Sequence, residues 1–312
     1  MAVSIPELPP PPFATATIAA IVDALKAIAG EHLKARASFA KGRCVRGTYV
    51  PSDRAEEITR SRSFTRPSRV LARFSVDSND LNGTDTDHLA LRGFGFRLGD
   101  THHRSDILAQ SAPVHFAKTL DQMLAFLKAR IPRPDGSPDL EQIKAFSAAN
   151  PETLHQVSYI AAHPLPRNFA GTTYWGVHSF PATNSTGETR FIKFKVAPVG
   201  AEIAPTKSDV TANVLDDDLE RRVTSGDVRF SVLALLGRPG DPTTDVTIRW
   251  PDEDNREEIR LGTIVITGIE PDETCDVSVF DPANLAEGIA RPPDEIFAAR
   301  SAAYALSLAK RR

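Results

Sequence analysis

Near its C-terminus the chain runs Phe280-Asp281-Pro282-Ala283-Asn284-Leu285-Ala286-Glu287-Gly288-Ile289, then Pro292-Pro293-Asp294-Glu295-Ile296-Phe297-Ala298-Ala299-Arg300-Ser301-Ala302-Ala303-Tyr304. The segment from about Pro293 to Lys310 reads as a helix, which sets Arg300 and Tyr304, four residues apart, on one face. A guanidinium held against a phenol favours the phenolate, since an opposite charge at hydrogen-bonding range stabilises the ionised form. Tyrosine ordinarily ionises near pH ~10. A tyrosine kept anionic at neutral pH serves mainly as a ligand to iron.

Composition narrows the remaining classes. At 312 residues the chain can bury a sizeable core in one large domain. A net charge of −3 offers no electrostatic attraction for nucleic acid or an anionic membrane. No apolar run approaches the ~20 residues of a membrane span. The first residues lack a basic stretch ahead of their apolar one, so no signal peptide is read and a cytoplasmic setting is expected. Cys44 and Cys275 cannot build a disulfide framework; free thiols are expected, with a single bridge as the alternative. Adjacent His102 and His103 are poorly placed to share a metal and read as a polar loop.

Residues 1–14 read as a proline-rich extended arm and 15–312 as a single domain. Ile18, Ile21, Val22, Leu25 and Ile28 recur at helical steps between Thr15 and Leu33. Ala37–Val50, Arg69–Val76 and Leu91–Leu98 read as strands, separated by stretches such as Asn79–Gly83. Thr119–Ile131 is helical, and Ser137-Pro138 opens another helix, with serine as cap and proline at its first position. Tyr174–Phe180 and Thr189–Val196 read as strands joined by the turn at Asn184–Gly187. In the second, Ile192, Phe194 and Val196 form a buried face and Lys193 and Lys195 a wet one. Arg229–Leu236, Asp245–Trp250 and Ile259–Thr267 complete the β segments. Many strands with few alternating helices argue for an α+β fold or a β-barrel.

The C-terminal stretch quoted above closely resembles the part of haem catalases that carries the tyrosine ligated to iron. Similar segments run from about Lys34 to the end. A core-only chain of this length resembles the bacterial minicatalases, or catalase-related peroxidases. The resemblance implies an eight-stranded antiparallel β-barrel with surrounding helices, and haem b (iron protoporphyrin IX) between the two. It implies Tyr304 as the axial ligand and Arg300 as the residue holding it as phenolate. Arg36 and Arg73 are implied as partners of the haem propionates, which suits bidentate recognition of carboxylates by arginine. Ser38 and Met123 are implied neighbours of the haem. Strand segments such as Gly176–Phe180 resemble the barrel without adding chemistry, and His178 reads as a satisfied structural histidine.

On the distal side the chain departs from the family. Catalases carry a distal histidine in a segment of the form R-x-x-H-A-K-G; here Arg36-Ala37-Ser38-Phe39-Ala40-Lys41-Gly42 places Phe39 at the histidine position. That histidine moves a proton between the peroxide oxygens, assistance worth about 10²–10⁴-fold, and phenylalanine has no proton to move. Gln110 stands where catalases have an asparagine, an amide longer by one methylene. Ser75 matches the serine that supports the missing histidine. His115 replaces a distal phenylalanine and reads either as a relocated base or as an inert wall residue.

The expected function is a haem peroxidase using hydrogen peroxide or an organic hydroperoxide to oxidise a small organic donor, with weak or no catalase activity. Two alternatives accompany it: an isomerase or lyase acting on an organic hydroperoxide or N–O substrate, and a non-enzymatic haem sensor or carrier. Nucleic acid and membrane are not expected partners, and a homodimer is the expected assembly.

Overall fold

Apolar residues at every second position make strands whose inner faces must meet. The computed structural model describes residues 16–30, 35–77, 89–200, 213–226 and 228–311. Its strands are β1 (Lys41–Pro51), β2 (Ser68–Val76), β3 (Arg92–Leu98), β4 (Ser105–Gln110), β5 (Tyr174–Trp175), β6 (Phe180–Thr183), β7 (Thr189–Pro198), β8 (Arg229–Leu236) and β9 (Glu258–Ile269). They pair in the order β5-β4-β3-β2-β1-β9-β8-β7-β6, every pairing antiparallel. Tyr174 and Trp175 of β5 also pair with Val196 and Lys195 of β7, which closes a ring of eight strands, while β6 lies against β7 beside that ring. This is the barrel that the sequence led us to expect.

Aromatic rings fill the barrel. Phe74 stacks on Phe94 at 4.4 Å and on Phe169 at 5.3 Å, and Tyr174 and Phe230 pack around them. A barrel of eight strands is just wide enough for its own side chains. A large planar group therefore has to lie outside it, between wall and helices.

The helices are α1 (Ile18–Ala29), α2 (Ala55–Ile58), α3 (Arg62–Thr65), α4 (Leu120–Lys128), α5 (Leu140–Ala149), α6 (His155–Ala162), α7 (Val214–Ser225), α8 (Asp272–Val277) and α9 (Glu295–Ala309). The Thr17 hydroxyl caps α1 by accepting from the Ala20 N–H at 3.1 Å, and Gly30, at φ +84°, ends it. Helix α1 packs on α4 and α9, where Ile21, Ala24 and Leu127 form a small second core. The Phe280–Leu285 loop is tied to β4 through the buried Asp106 carboxylate, which accepts from the Asp281 N–H and the Asn284 side chain, each at 3.0 Å. Ser301 in turn donates to Asp281 at 2.9 Å, linking that loop to α9.

Several expectations need correction. Asp139, not Ser137, caps α5 by accepting from the Gln142 N–H, while Ser137 spends its hydroxyl on Asp135. Tyr174–Phe180 is not one strand: residues 176–179 leave the ladder, and His178 turns toward Asp294. Asp245–Trp250 is a turn, because the Asp245 carboxylate accepts from both the N–H and the hydroxyl of Thr247 and folds the backbone on itself. Lys193 is not on a wet face; it is 3% exposed, with its ammonium 3.2 Å from the Glu253 carboxylate and over the Trp250 ring. The residue 1–14 arm, the Asn79–Gly83 stretch and the C-terminal end of the Thr15–Leu33 helix lie outside the described residues.

The two cysteines are not free thiols. Cys44 of β1 and Cys275 of α8 form a fully buried disulfide, with Cα atoms 5.7 Å apart across 231 residues of sequence. Only the folded barrel brings those positions together. Linking them should stabilise the fold by roughly 2–4 kcal/mol, chiefly through the unfolded chain. The intact protein, denatured without reductant, is expected to show no thiol titre. The Cys44→Ala/Cys275→Ala double variant is expected to lose that stability in urea unfolding. Two titratable thiols in the unreduced protein would refute the bridge.

Candidate active site

Alternation along three neighbouring strands decides which residues face away from the aromatic core. With Phe74, Phe94 and Ala109 inside the barrel, Arg73 and Ser75 of β2, Gly93 and Gly95 of β3, and Leu108 and Gln110 of β4 face outward. This outer wall and helices α1, α4 and α9 enclose a cavity of about 720 Å³. At Gly93 the wall has no room for a side chain, since a Cβ would stand 2.6 Å from the Ser75 Oγ and 3.1 Å from the Phe39 ring that packs there.

Helix α9 offers the cavity one face. Ile296, Arg300, Ala303, Tyr304 and Ser307 line it at steps of three and four, and Arg311 continues the row beyond the helix end. Arg300 donates from Nη2 to the Tyr304 phenolic oxygen at 3.2 Å. Its Nη1 lies 2.8 Å from Nε2 of His178, whose Nδ1 lies 2.9 Å from the Asp294 carboxylate. Arginine can only donate and an ionised carboxylate can only accept, so the imidazole is neutral with its proton on Nδ1. Burial and Arg300 both disfavour protonation of His178, and its pKa falls below the usual value although Asp294 pulls the other way. Burial alone would raise Asp294, but the contacts with His178, the Phe297 N–H and Arg300 hold its carboxyl below the ordinary range.

At the opposite edge three guanidiniums converge. Arg36 donates to the Cys275 carbonyl at 2.6 Å and to Asp276 at 3.3 Å, yet among the described residues its buried Nε has no partner. Arg73 donates to the carbonyls of Phe39 at 2.9 Å and Ala40 at 2.7 Å. Burial, with Arg36 beside it, pushes Arg73 down to about 9. Arg311 lies 3.9 Å from Asp276 and lines the same cavity. Three guanidiniums near one carboxylate, one of them with an orphaned buried N–H, form a receptor for an anion that bears carboxylates.

Phe39 sits on the cavity wall at φ +52°, a conformation costly for any side chain of its size. It is held there by its N–H on Asp77 at 3.4 Å, with the Ser38 hydroxyl on the same carboxylate at 3.1 Å, and by Arg73 on its carbonyl. Among the described residues the Ser75 hydroxyl reaches the Gly93 carbonyl, at 3.5 Å. Gln110 lines the cavity, but its amide nitrogen donates to the backbone carbonyls of Val114 at 2.8 Å and Ala112 at 3.5 Å. Buried Gln156 of α6 donates to the Val114 carbonyl at 2.8 Å. His115 stacks on Phe116 at 4.3 Å and keeps Nδ1 on the backbone of Ala117, 2.9 Å from its carbonyl. Burial pushes His115 down to about 4. Such a ring is neutral at pH 7 and a weak proton acceptor. Met123 lines the cavity from α4.

The cavity thus gathers Arg36, Ser38, Phe39, Arg73, Ser75, Gln110, His115, Met123, Arg300 and Tyr304, every residue singled out in the sequence. Reading the sequence alone missed Asp294, Arg311 and Gln156 and left His178 without a role. Two of these carried a signal. Asp294 stands at the cap position after Pro292-Pro293, and Arg311 follows Tyr304 by seven residues, two turns along the same face.

Comparison with known proteins gives this geometry a lineage. The family model described as Catalase matches residues 16–228.

The chain belongs to the catalase family.

A catalase-related peroxidase of Synechococcus elongatus is 30% identical over 299 residues, covering 93% of this chain and 87% of its own. A catalase-related peroxidase of Mycolicibacterium paratuberculosis is 28% identical, covering 92% of each chain. A solved bacterial catalase superposes with a TM-score of 0.77 at 21% identity over 90% of this chain, and a fungal catalase with 0.76 at 19%. The chain spans about three-fifths of each of those two structures, 58% and 60%. The family implies a haem cofactor, and the residues present fit one. A phenol backed by a guanidinium faces the cavity on one side, and three arginines stand ready for carboxylates at its edge.

Because Asp294 both caps α9 and holds His178, Asp294→Ala should cost roughly 2–4 kcal/mol, the sum of a lost cap and a lost buried charged hydrogen bond. Asp294→Asn, which still caps, should cost less. Both depressed groups act in one direction with pH. His178, neutral in the fold, gives stability that is full above its unfolded pKa of ~6.5 and declines as pH falls. Asp294 adds a loss below its unfolded pKa of ~3.9. Urea midpoints measured from pH 7 to 3 should fall steadily for the wild type and less steeply below pH 4 for Asp294→Asn. Identical acid limbs would contradict the assignment.

Proposed function

We propose that the chain is a haem b peroxidase that uses hydrogen peroxide or an organic hydroperoxide to oxidise a small organic donor, with little catalase activity. One observation carries this reading: the Asp294–His178–Arg300–Tyr304 hydrogen-bonded chain faces a cavity whose distal wall carries Phe39. The haem, when bound, supplies the redox chemistry that splits peroxide and withdraws electrons from a donor. Tyr304 would ligate its iron with Arg300 beside the phenol, and Arg36, Arg73 and Arg311 would hold its carboxylates.

The distal residues then set the outcome. Phe39 offers no proton. Gln110 has its donor on the Val114 carbonyl, and His115 is a weak base with Nδ1 tied to Ala117. None of these groups is poised to move a proton between the oxygens of peroxide, so dismutation is slow and a donor can intervene. Each peroxide takes two electrons and two protons, leaving water, or water and an alcohol from an organic hydroperoxide. The cytoplasmic setting expected from the sequence is compatible with the Cys44–Cys275 bridge, since both cysteines are fully buried, out of contact with thiol reductants.

The test pairs the wild type with Phe39→His, both loaded with haem. The wild type should oxidise a phenolic donor with either peroxide and release little oxygen from hydrogen peroxide. Phe39→His should raise oxygen release by about 10²-fold or more. No donor oxidation with either peroxide would sink the peroxidase reading. Donor-free consumption of an organic hydroperoxide would point instead to an isomerase or lyase, which the apolar Phe39 wall would also suit.

A further inference from the structure

The cavity extends past the catalytic residues. Between α1 and the α4–α5 region it continues as an apolar limb lined by Ile21, Leu25, Ile28, Met123, Leu127 and Ile143. Most of its charged lining belongs elsewhere. Arg36, Arg73 and Arg311 gather about Asp276, Asp77 holds the Ser38–Phe39 turn, and Arg300 belongs to α9. Among the described residues the charge in the limb is Arg130, just beyond the C-terminal end of α4.

Arg130 is built in. Its guanidinium lies 3.4 Å from the centroid of the Phe126 ring and 6.0 Å from that of Phe146, and its Nη1 donates to the Phe126 carbonyl at 3.1 Å. Among the described residues no carboxylate pairs with it, unlike Arg36, Arg97, Arg249 and Arg256, each of which has one. Burial pushes it down to about 10, so it stays cationic at neutral pH while short of water and of a counter-ion. Two aromatic contacts hold the fork in place, and most of its five N–H donors remain for a ligand.

We propose that this limb binds an organic carboxylate with an extended apolar body, its carboxylate on Arg130 and its body against the apolar faces that α1 and α4 turn to the cavity. Such a molecule would reach the catalytic end of the cavity with a fixed orientation. The assignment of that molecule as hydroperoxide or donor rests on the peroxidase reading; its binding does not. A carboxylate takes two parallel N–H bonds from a guanidinium, and the apolar walls gain by shedding water.

Calorimetric titration of the haem-loaded protein with decanoate and with decan-1-ol, its uncharged twin, tests this. Decanoate should bind at least ~10-fold tighter than the alcohol, and Arg130→Gln should erase that difference while leaving the alcohol within about twofold. Arg130→Lys should keep part of it. Ile28→Trp, which narrows the limb, should weaken both ligands. Equal binding of the two ligands by the wild type would overturn the proposal, as would unchanged decanoate binding in Arg130→Gln. Should Arg130→Gln fail to fold, Arg130→Lys and the wild-type contrast still decide. Absorbance of the same samples reports haem uptake: a protein that takes no haem yet binds decanoate through Arg130 would contradict the peroxidase reading and leave this one standing.

Discussion

The site turns on one buried carboxylate. Asp294 uses one oxygen to accept the Phe297 N–H, 2.7 Å away, and so starts α9; it uses the other to accept a hydrogen bond from His178 Nδ1–H. The first contact sets where the helix begins and therefore which side chains of α9 face the barrel. The second fixes the tautomer of His178, which leaves Nε2 to accept from Arg300 and aims that guanidinium at Tyr304. The start of the helix and the placement of the Arg300 guanidinium beside Tyr304 are thus set by the same group.

A second constraint acts at the opposite edge. The Cys44–Cys275 bridge pins α8 to β1, and α8 supplies both the Cys275 carbonyl and the Asp276 carboxylate that position Arg36. Arg73, through its bonds to the Phe39 and Ala40 carbonyls, fixes the loop that makes the distal wall. The arginines that would receive a carboxylate-bearing ligand therefore also shape the pocket. Loading the site should tighten the distal loop, because an anion on Arg73 relieves the cost of burying its charge. The aromatic filling of the barrel completes the arrangement by denying the interior to any ligand and leaving the outer face of β2, β3 and β4 as a wall of the cavity.

Much of this was legible in the sequence. The Arg300–Tyr304 spacing and the strand alternation through β2 and β3 follow from local periodicity, while the arginines at 36 and 73 stood out only through the resemblance to catalases. What stayed hidden involves partners distant in sequence. His178 looks ordinary until its strand breaks and it meets Asp294, 116 residues on. The cysteines lie 231 residues apart, and nothing local to either sequence segment brings them together. Lys193 obeyed the alternation rule for a wet face, yet Glu253 and Trp250 fold over it and supply a charge and a ring. Asp245–Trp250 carries strand-forming residues, but the Asp245 side chain competes for the backbone and wins locally.

We propose that Tyr304, backed by Arg300, is the group that holds the iron. The most direct test is the absorption spectrum of the ferric haem-loaded protein compared with that of Tyr304→Phe. The wild type should show a tyrosinate-ligated spectrum. In the variant that signature should be lost while haem still binds, weakly, through the arginines. A variant spectrum identical to that of the wild type, or a wild-type protein that takes up no haem, would contradict it.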